Sequence, residues 1–91
     1  MNKDLEYIKS LYVMYEEWDP EEEGSFYTNN YTIGERFSDD EIKDAMDELD
    51  DDEEDWIFLT VNTLVENYIV GDLKSMYIKD KDGKVLKNEE Y

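Results

Sequence analysis

Apolar positions repeat at three- and four-residue spacing near the start of the chain. Leu5, Ile8, Leu11, Tyr12 and Tyr15 form one stripe, Trp18 continues it, and the spacing predicts a helix over 3–17. Asp19-Pro20 ends it, because proline disfavours a helical residue before it. Val13, Met14 and the tyrosines also tolerate a strand. Residues 21–25 read as a loop ending at Gly24. Phe26 to Ile33 then predicts two short strands around Asn29-Asn30, since asparagine tolerates the positive φ of a tight turn; one extended strand is the alternative. Gly34 breaks the run.

Ser38-Asp39-Asp40-Glu41 is a capping box, in which hydroxyl and carboxylate each accept from the other residue's amide. Ile42, Ala45, Met46 and Leu49 follow at i, i+3, i+4 and i+7, the firmest helical pattern in the chain. Residues 50–55 fit a loop or a further helix start. For 56–70 the pattern leans to helix: Ile57, Val61, Leu64, Val65 and Tyr68 share a face, acids precede Trp56, and Gly71 lies just past the end. Strand formers from Trp56 to Val61 keep a strand open. Residues 75–87 predict a hairpin turning at Asp82-Gly83, with lysines guarding its edge; the tail from about 88 is expected to fray. The expected fold is α+β: a small single domain over 1–91, with two to three helices and one or two β-hairpins.

Composition narrows the chemistry. The chain has 91 residues and contains neither Cys nor His, which excludes disulfides, thiolate or imidazole metal sites and His-dependent catalytic triads. No apolar stretch is long enough for a membrane helix, and the first residues lack the apolar core of a signal peptide. Asn30-Tyr31-Thr32 matches a glycosylation pattern, read as chance without a secretory signal. A cytoplasmic protein is expected.

The 27 acids against 9 bases give a net charge of −18. That charge is concentrated. Residues 16–23 hold six acids and no base, and residues 39–55 hold twelve acids against Lys43 alone. These two runs carry −17, leaving a nearly neutral remainder. Such a layout repels nucleic acid and anionic membrane, and attracts basic surfaces. A solvated acidic surface that only maintains solubility is the plain alternative. Crowded carboxylates are also expected to titrate high, favouring the fold near pH 5 over pH 8.

Density of carboxylate is not a metal site. An EF-hand loop begun at Asp50 places Asp55 at position 6 and Val61 at position 12; one begun at Asp80 places Lys84 at position 5 and Tyr91 at position 12. Both lack required ligands. Phosphate-binding glycine motifs are absent, with single glycines at 24, 34, 71 and 83. The expectation is a binding protein without cofactor or metal, not an enzyme.

Tyr12, Tyr15 and Tyr68 fall on apolar stripes and are expected in or near the core. Tyr27 and Tyr31 neighbour the first acidic run and are expected exposed, where tyrosine suits an interface; Trp18 and Trp56 are further candidates, with core the first reading of Trp56. A helix from 39 to about 50 followed by further acids approaches the charge density of a DNA duplex over roughly 20–25 Å. In size and charge layout the chain resembles phage-encoded DNA-mimic inhibitors of anti-CRISPR, anti-restriction and uracil-DNA-glycosylase-inhibitor type. That resemblance implies a basic nucleic-acid-binding partner in a bacterial host cell, a CRISPR effector first and a restriction enzyme next, with no direct contact to nucleic acid or membrane. The candidate partner-binding residues are Glu16, Glu17, Asp19, Glu21, Glu22, Glu23, Asp40, Asp44, Asp47, Glu48, Asp50, Asp51, Asp52, Glu53, Glu54, Asp55, Tyr27 and Tyr31. An immunity protein or antitoxin masking a basic toxin is the alternative.

Overall fold

In the computed structural model the described residues are 2–49, 55–69 and 71–91. They form α1 (Asn2–Ser10), β1 (Tyr12–Trp18), β2 (Phe26–Thr32), α2 (Ile33–Arg36), α3 (Asp39–Asp47), α4 (Trp56–Glu66), β3 (Leu73–Lys79) and β4 (Val85–Glu90). The strands make one antiparallel sheet in the order β2-β1-β3-β4. This is an α+β fold. No helix among the described residues is long and apolar enough to cross a membrane.

The first predicted helix stops early. It ends at Ser10, whose hydroxyl donates to the Tyr7 carbonyl at 2.6 Å, and the chain continues as β1. Four residues are one helical turn but also two strand repeats, so Leu11 and Tyr15 fit both periods. Tyr12 and Val13 separate them. A helix needs Tyr12 inside and Val13 outside, whereas Val13 is fully buried and Tyr12 is partly exposed. The second correction is β2. Asn29 and Asn30 sit opposite Tyr15 and Met14 in mid-strand, and no described non-glycine residue has positive φ. The single extended strand is therefore the form adopted.

Helices α3 and α4 and the β3–β4 pair follow their patterns, whereas the short α2 around Gly34 is anticipated by none. The capping box at Ser38 starts α3, α4 is helical, and β3–β4 is a hairpin with Gly83 at φ +89°. Residues from Asn88, expected to fray, pair with β3 through Glu90, and the Tyr91 amide donates to the Lys74 carbonyl at 2.9 Å. Leu5 and Ile8 of α1, Ile42 and Ala45 of α3, and Val61, Leu64 and Val65 of α4 pack with Val13, Tyr15, Met76 and Ile78 from one sheet face. The helices thus cover that face. The other presents Met14, Trp18, Phe26 and Val85, each more than a third exposed.

Candidate functional site

Helix α3 rests on α1 and α4. Ile42 and Ala45 point inward, and Asp40, Asp44, Asp47 and Glu48 are exposed on the opposite side. Their spacing of four, three and one residues gathers them into a strip, because a helix turns about 100° per residue. None of the four has an ion-pair partner among the described residues. Lys43 borders the strip and is exposed. Asp39 lies outside it, paired with Lys9 at 3.1 Å, and its hydrogen bond and charge raise the Lys9 pKa.

The strip is anchored at its start. The Ser38 hydroxyl accepts from the Glu41 amide at 3.2 Å, and the Glu41 carboxylate accepts from the Ser38 amide at 3.1 Å. Its second oxygen accepts the Tyr68 hydroxyl, also at 3.1 Å. The backbone bond from Ser38 first, then Tyr68, hold the Glu41 pKa below the usual carboxylate range; Tyr68 is raised in turn. A depressed folded pKa contributes stability above the unfolded value near ~4.3, lost as pH falls through the folded value. Glu41→Gln keeps the acceptor and removes the charge. Its melting temperature is expected below that of the parent at neutral pH, with the gap closing by about pH 2.5, as thermal melts at both pH values would register. Asp19, the other carboxylate with a clear shift among the described residues, is also lowered, by the Glu21 amide and then the Tyr27 hydroxyl. For these two residues hydrogen bonding overturns the expectation that crowding raises carboxylate pKa values.

The first acidic run is dispersed. Neighbours on a strand point to opposite faces. Glu16 lies on the open face, where it accepts from the Ser75 hydroxyl at 2.9 Å and pairs with Lys74 at 3.4 Å. Glu17 lies on the helix-covered side and is only 8% exposed. Neither is an exposed carboxylate, contrary to their place among the candidates, and Glu17 shows only an edge to the neighbouring pocket. Asp19, Glu21, Glu22 and Glu23 belong to the β1–β2 connection, where Glu21 to Glu23 are exposed. Asp19 and Glu21 line an open pocket of about 250 Å³ together with Glu17, Trp18, Pro20 and Tyr27.

Tyr27 is exposed, and its hydroxyl donates to Asp19 at 2.9 Å. Tyr31 is not an exposed anchor. Its side chain is half-buried, its hydroxyl donates to that of Tyr15 at 3.1 Å, and its ring meets Tyr15 and Phe37 edge-on. Burial, then the Tyr15 bond, raise its pKa. Tyr68, expected in or near the core, is 42% exposed beneath Arg36. Asp55 is exposed beside the start of α4. Asp50, Asp51, Asp52, Glu53 and Glu54 lie outside the described residues. Among the described residues no three carboxylates converge to hold a metal ion.

Sequence reasoning missed the open sheet face. Lys74 sits 4.7 Å from the Phe26 ring centre and 5.5 Å from that of Trp18, and Lys79 is 5.1 Å from Tyr12. A two-residue period over 12–18 is the signal that would have exposed it. The chain matches no protein-family model, no curated protein and no solved structure.

Proposed function

We propose that the protein is an inhibitor that occupies the basic nucleic-acid-binding surface of a bacterial defence nuclease, a CRISPR effector foremost. The observation that carries this reading is the strip of Asp40, Asp44, Asp47 and Glu48, exposed and without ion-pair partners among the described residues. Eight residue steps at about 1.5 Å place these four charges over ~12 Å, a mean separation of ~4 Å. One DNA strand presents a phosphate about every 3.4 Å. The capping box and the buried Ile42 and Ala45 order the helix beforehand, so binding forfeits less conformational entropy than an acidic tail would. Opposite charge also accelerates encounter with a cationic groove. The exposed acids of the β1–β2 connection and Tyr27 supply a second, smaller contact, where a cationic side chain fits between carboxylate and aromatic ring.

Competition for DNA tests this. The protein is titrated into a guide-loaded CRISPR effector holding a fluorescent target duplex. Stoichiometric release of the duplex is expected, and affinity for the effector should fall steeply between about 50 and 200 mM salt. A duplex that remains bound, or affinity indifferent to salt, overturns the reading. Tight and exclusive capture of one basic toxin would replace it with the immunity-protein alternative.

A further inference from the structure

The longest stretch of the chain without a charged residue runs from Gly24 to Gly34, in a sequence that is 40% charged. Its far end reaches the core through Ile33, with Tyr31 half-buried, and the rest of the stretch lies outside it. The stretch contains β2, which ends the sheet on one side and has β1 as its only strand neighbour among the described residues.

The direction of its free hydrogen-bonding groups can be assigned. Asp19 donates to the Ser25 carbonyl at 2.9 Å, and Ile33 donates to the Leu11 carbonyl at 2.9 Å. In an antiparallel pair such bonded positions recur at every second residue. Tyr27, Asn29 and Tyr31 therefore turn their amides and carbonyls toward β1. Phe26, Thr28 and Asn30 turn theirs outward, and all three residues are exposed. The seven-residue strand pairs with β1 in continuous register and contains no proline. The opposite edge is different. β4 carries Lys87, Glu89 and Glu90, and its pairing with β3 shifts register between Ile78 and Lys79. Natural sheets blunt their edges with such charges and irregularities. β2 has neither.

We propose that β2 is a self-association edge, and that a second copy of this chain pairs with it antiparallel about a two-fold axis at Thr28. Thr28 then faces Thr28 of the second copy, and Phe26 faces Asn30 in both directions. Every outward amide and carbonyl of these three residues gains a partner, giving a continuous eight-stranded sheet. Charge favours this arrangement over other contacts between copies. Each chain bears −18, so association requires a neutral edge. Antiparallel pairing also sends the two Glu21–Glu23 loops to opposite ends of the strands, separated by more than the strand length of ~23 Å. That exceeds the Debye length of about 10 Å at 0.1 M salt. Both helical layers, with both α3 strips, lie on the same side of the joined sheet. Salt therefore strengthens dimerisation, opposite in sign to its effect on the proposed nuclease complex, and the proposal does not rest on that reading.

Sedimentation equilibrium of the full chain, at low salt and at about 0.5 M salt, tests it. The expected species is a dimer of twice the 10.9 kDa chain mass, more populated at high salt. Thr28→Pro removes an outward amide and leaves the β1 ladder intact. Two bonds about the axis are lost, weakening the dimer by about 10–30-fold at ~1 kcal/mol each. Should this variant fail to fold, Thr28→Cys decides, because the parent chain has no thiol of its own. A short bis-maleimide should link Thr28→Cys into a dimer, and leave Lys81→Cys, on the β3–β4 turn, unlinked. A monomer at both salt concentrations, a folded Thr28→Pro variant that dimerises as the parent does, or equal linking of the two cysteine variants overturns the proposal.

Discussion

Gly71→Ala is expected to destabilise the fold by about 2–4 kcal/mol, lowering the melting temperature by roughly 10–25 °C for a chain of this size. Backbone meets backbone here. The Trp18 amide at the end of β1 donates to the Asp72 carbonyl at 2.8 Å, locking the entry to β3 against β1. A Cβ on Gly71 would overlap the Trp18 carbonyl oxygen and come within 3.3 Å of Pro20 Cδ. Neither neighbour is the free end of a flexible side chain, so relief requires moving β1 away from β3. That movement strains the Trp18–Asp72 bond and the register shift beside it at Glu16 and Glu17. Gly83→Ala is the informative control. Gly83 has φ +89° but open space around its Cβ, so only backbone strain of ~1 kcal/mol applies. Urea melts of the three proteins should rank parent above Gly83→Ala above Gly71→Ala. A Gly71→Ala variant as stable as the Gly83→Ala control would contradict the close approach.

Gly71 also illustrates what a sequence conveals when only local pattern is used. Its position after an apolar helical run suits a helix terminus, but α4 ends at Glu66 and the glycine serves a contact with residues some fifty positions away. Local signals were sufficient where local chemistry decides. The Ser38–Glu41 box starts α3, the four-step pattern of α4 holds, and Gly83 lies in the β3–β4 turn. They failed where two periods coincide, as at Leu11 and Tyr15, and where tertiary pairing overrides turn chemistry, as at Asn29-Asn30. The candidate site was legible for the same reason that it was partly misread. Counting acids along the chain treats both runs alike. On a strand, consecutive acids divide between faces, which sends Glu16 to Lys74 and Glu17 inward. On a helix, acids four, three and one residues apart converge, and among the described residues it is α3 that turns its count into an ordered strip.

Neutralising that strip, with Asp40→Asn, Asp44→Asn, Asp47→Asn and Glu48→Gln combined, is expected to weaken binding to the proposed nuclease partner by about 30–1,000-fold. The range follows from ~0.5–1 kcal/mol for each solvent-exposed charge pair. Stability should hold or rise. Asp47 and Glu48 stand at the C-terminal end of α3, which has no basic residue in its last turn, so their charges oppose the helix dipole. Removing them also relieves self-repulsion in a chain of −18. Lost affinity therefore could not be assigned to lost fold, and melting curves would verify this directly. The control removes charge elsewhere: Glu21→Gln, Glu22→Gln and Glu23→Gln on the β1–β2 connection. If placement matters, these three should weaken binding distinctly less per charge than the α3 set at low salt, and the two sets should converge as salt screens both. Equal losses per charge would mean that net charge alone attracts the partner, and the α3 strip would lose its claim to imitate a phosphate row.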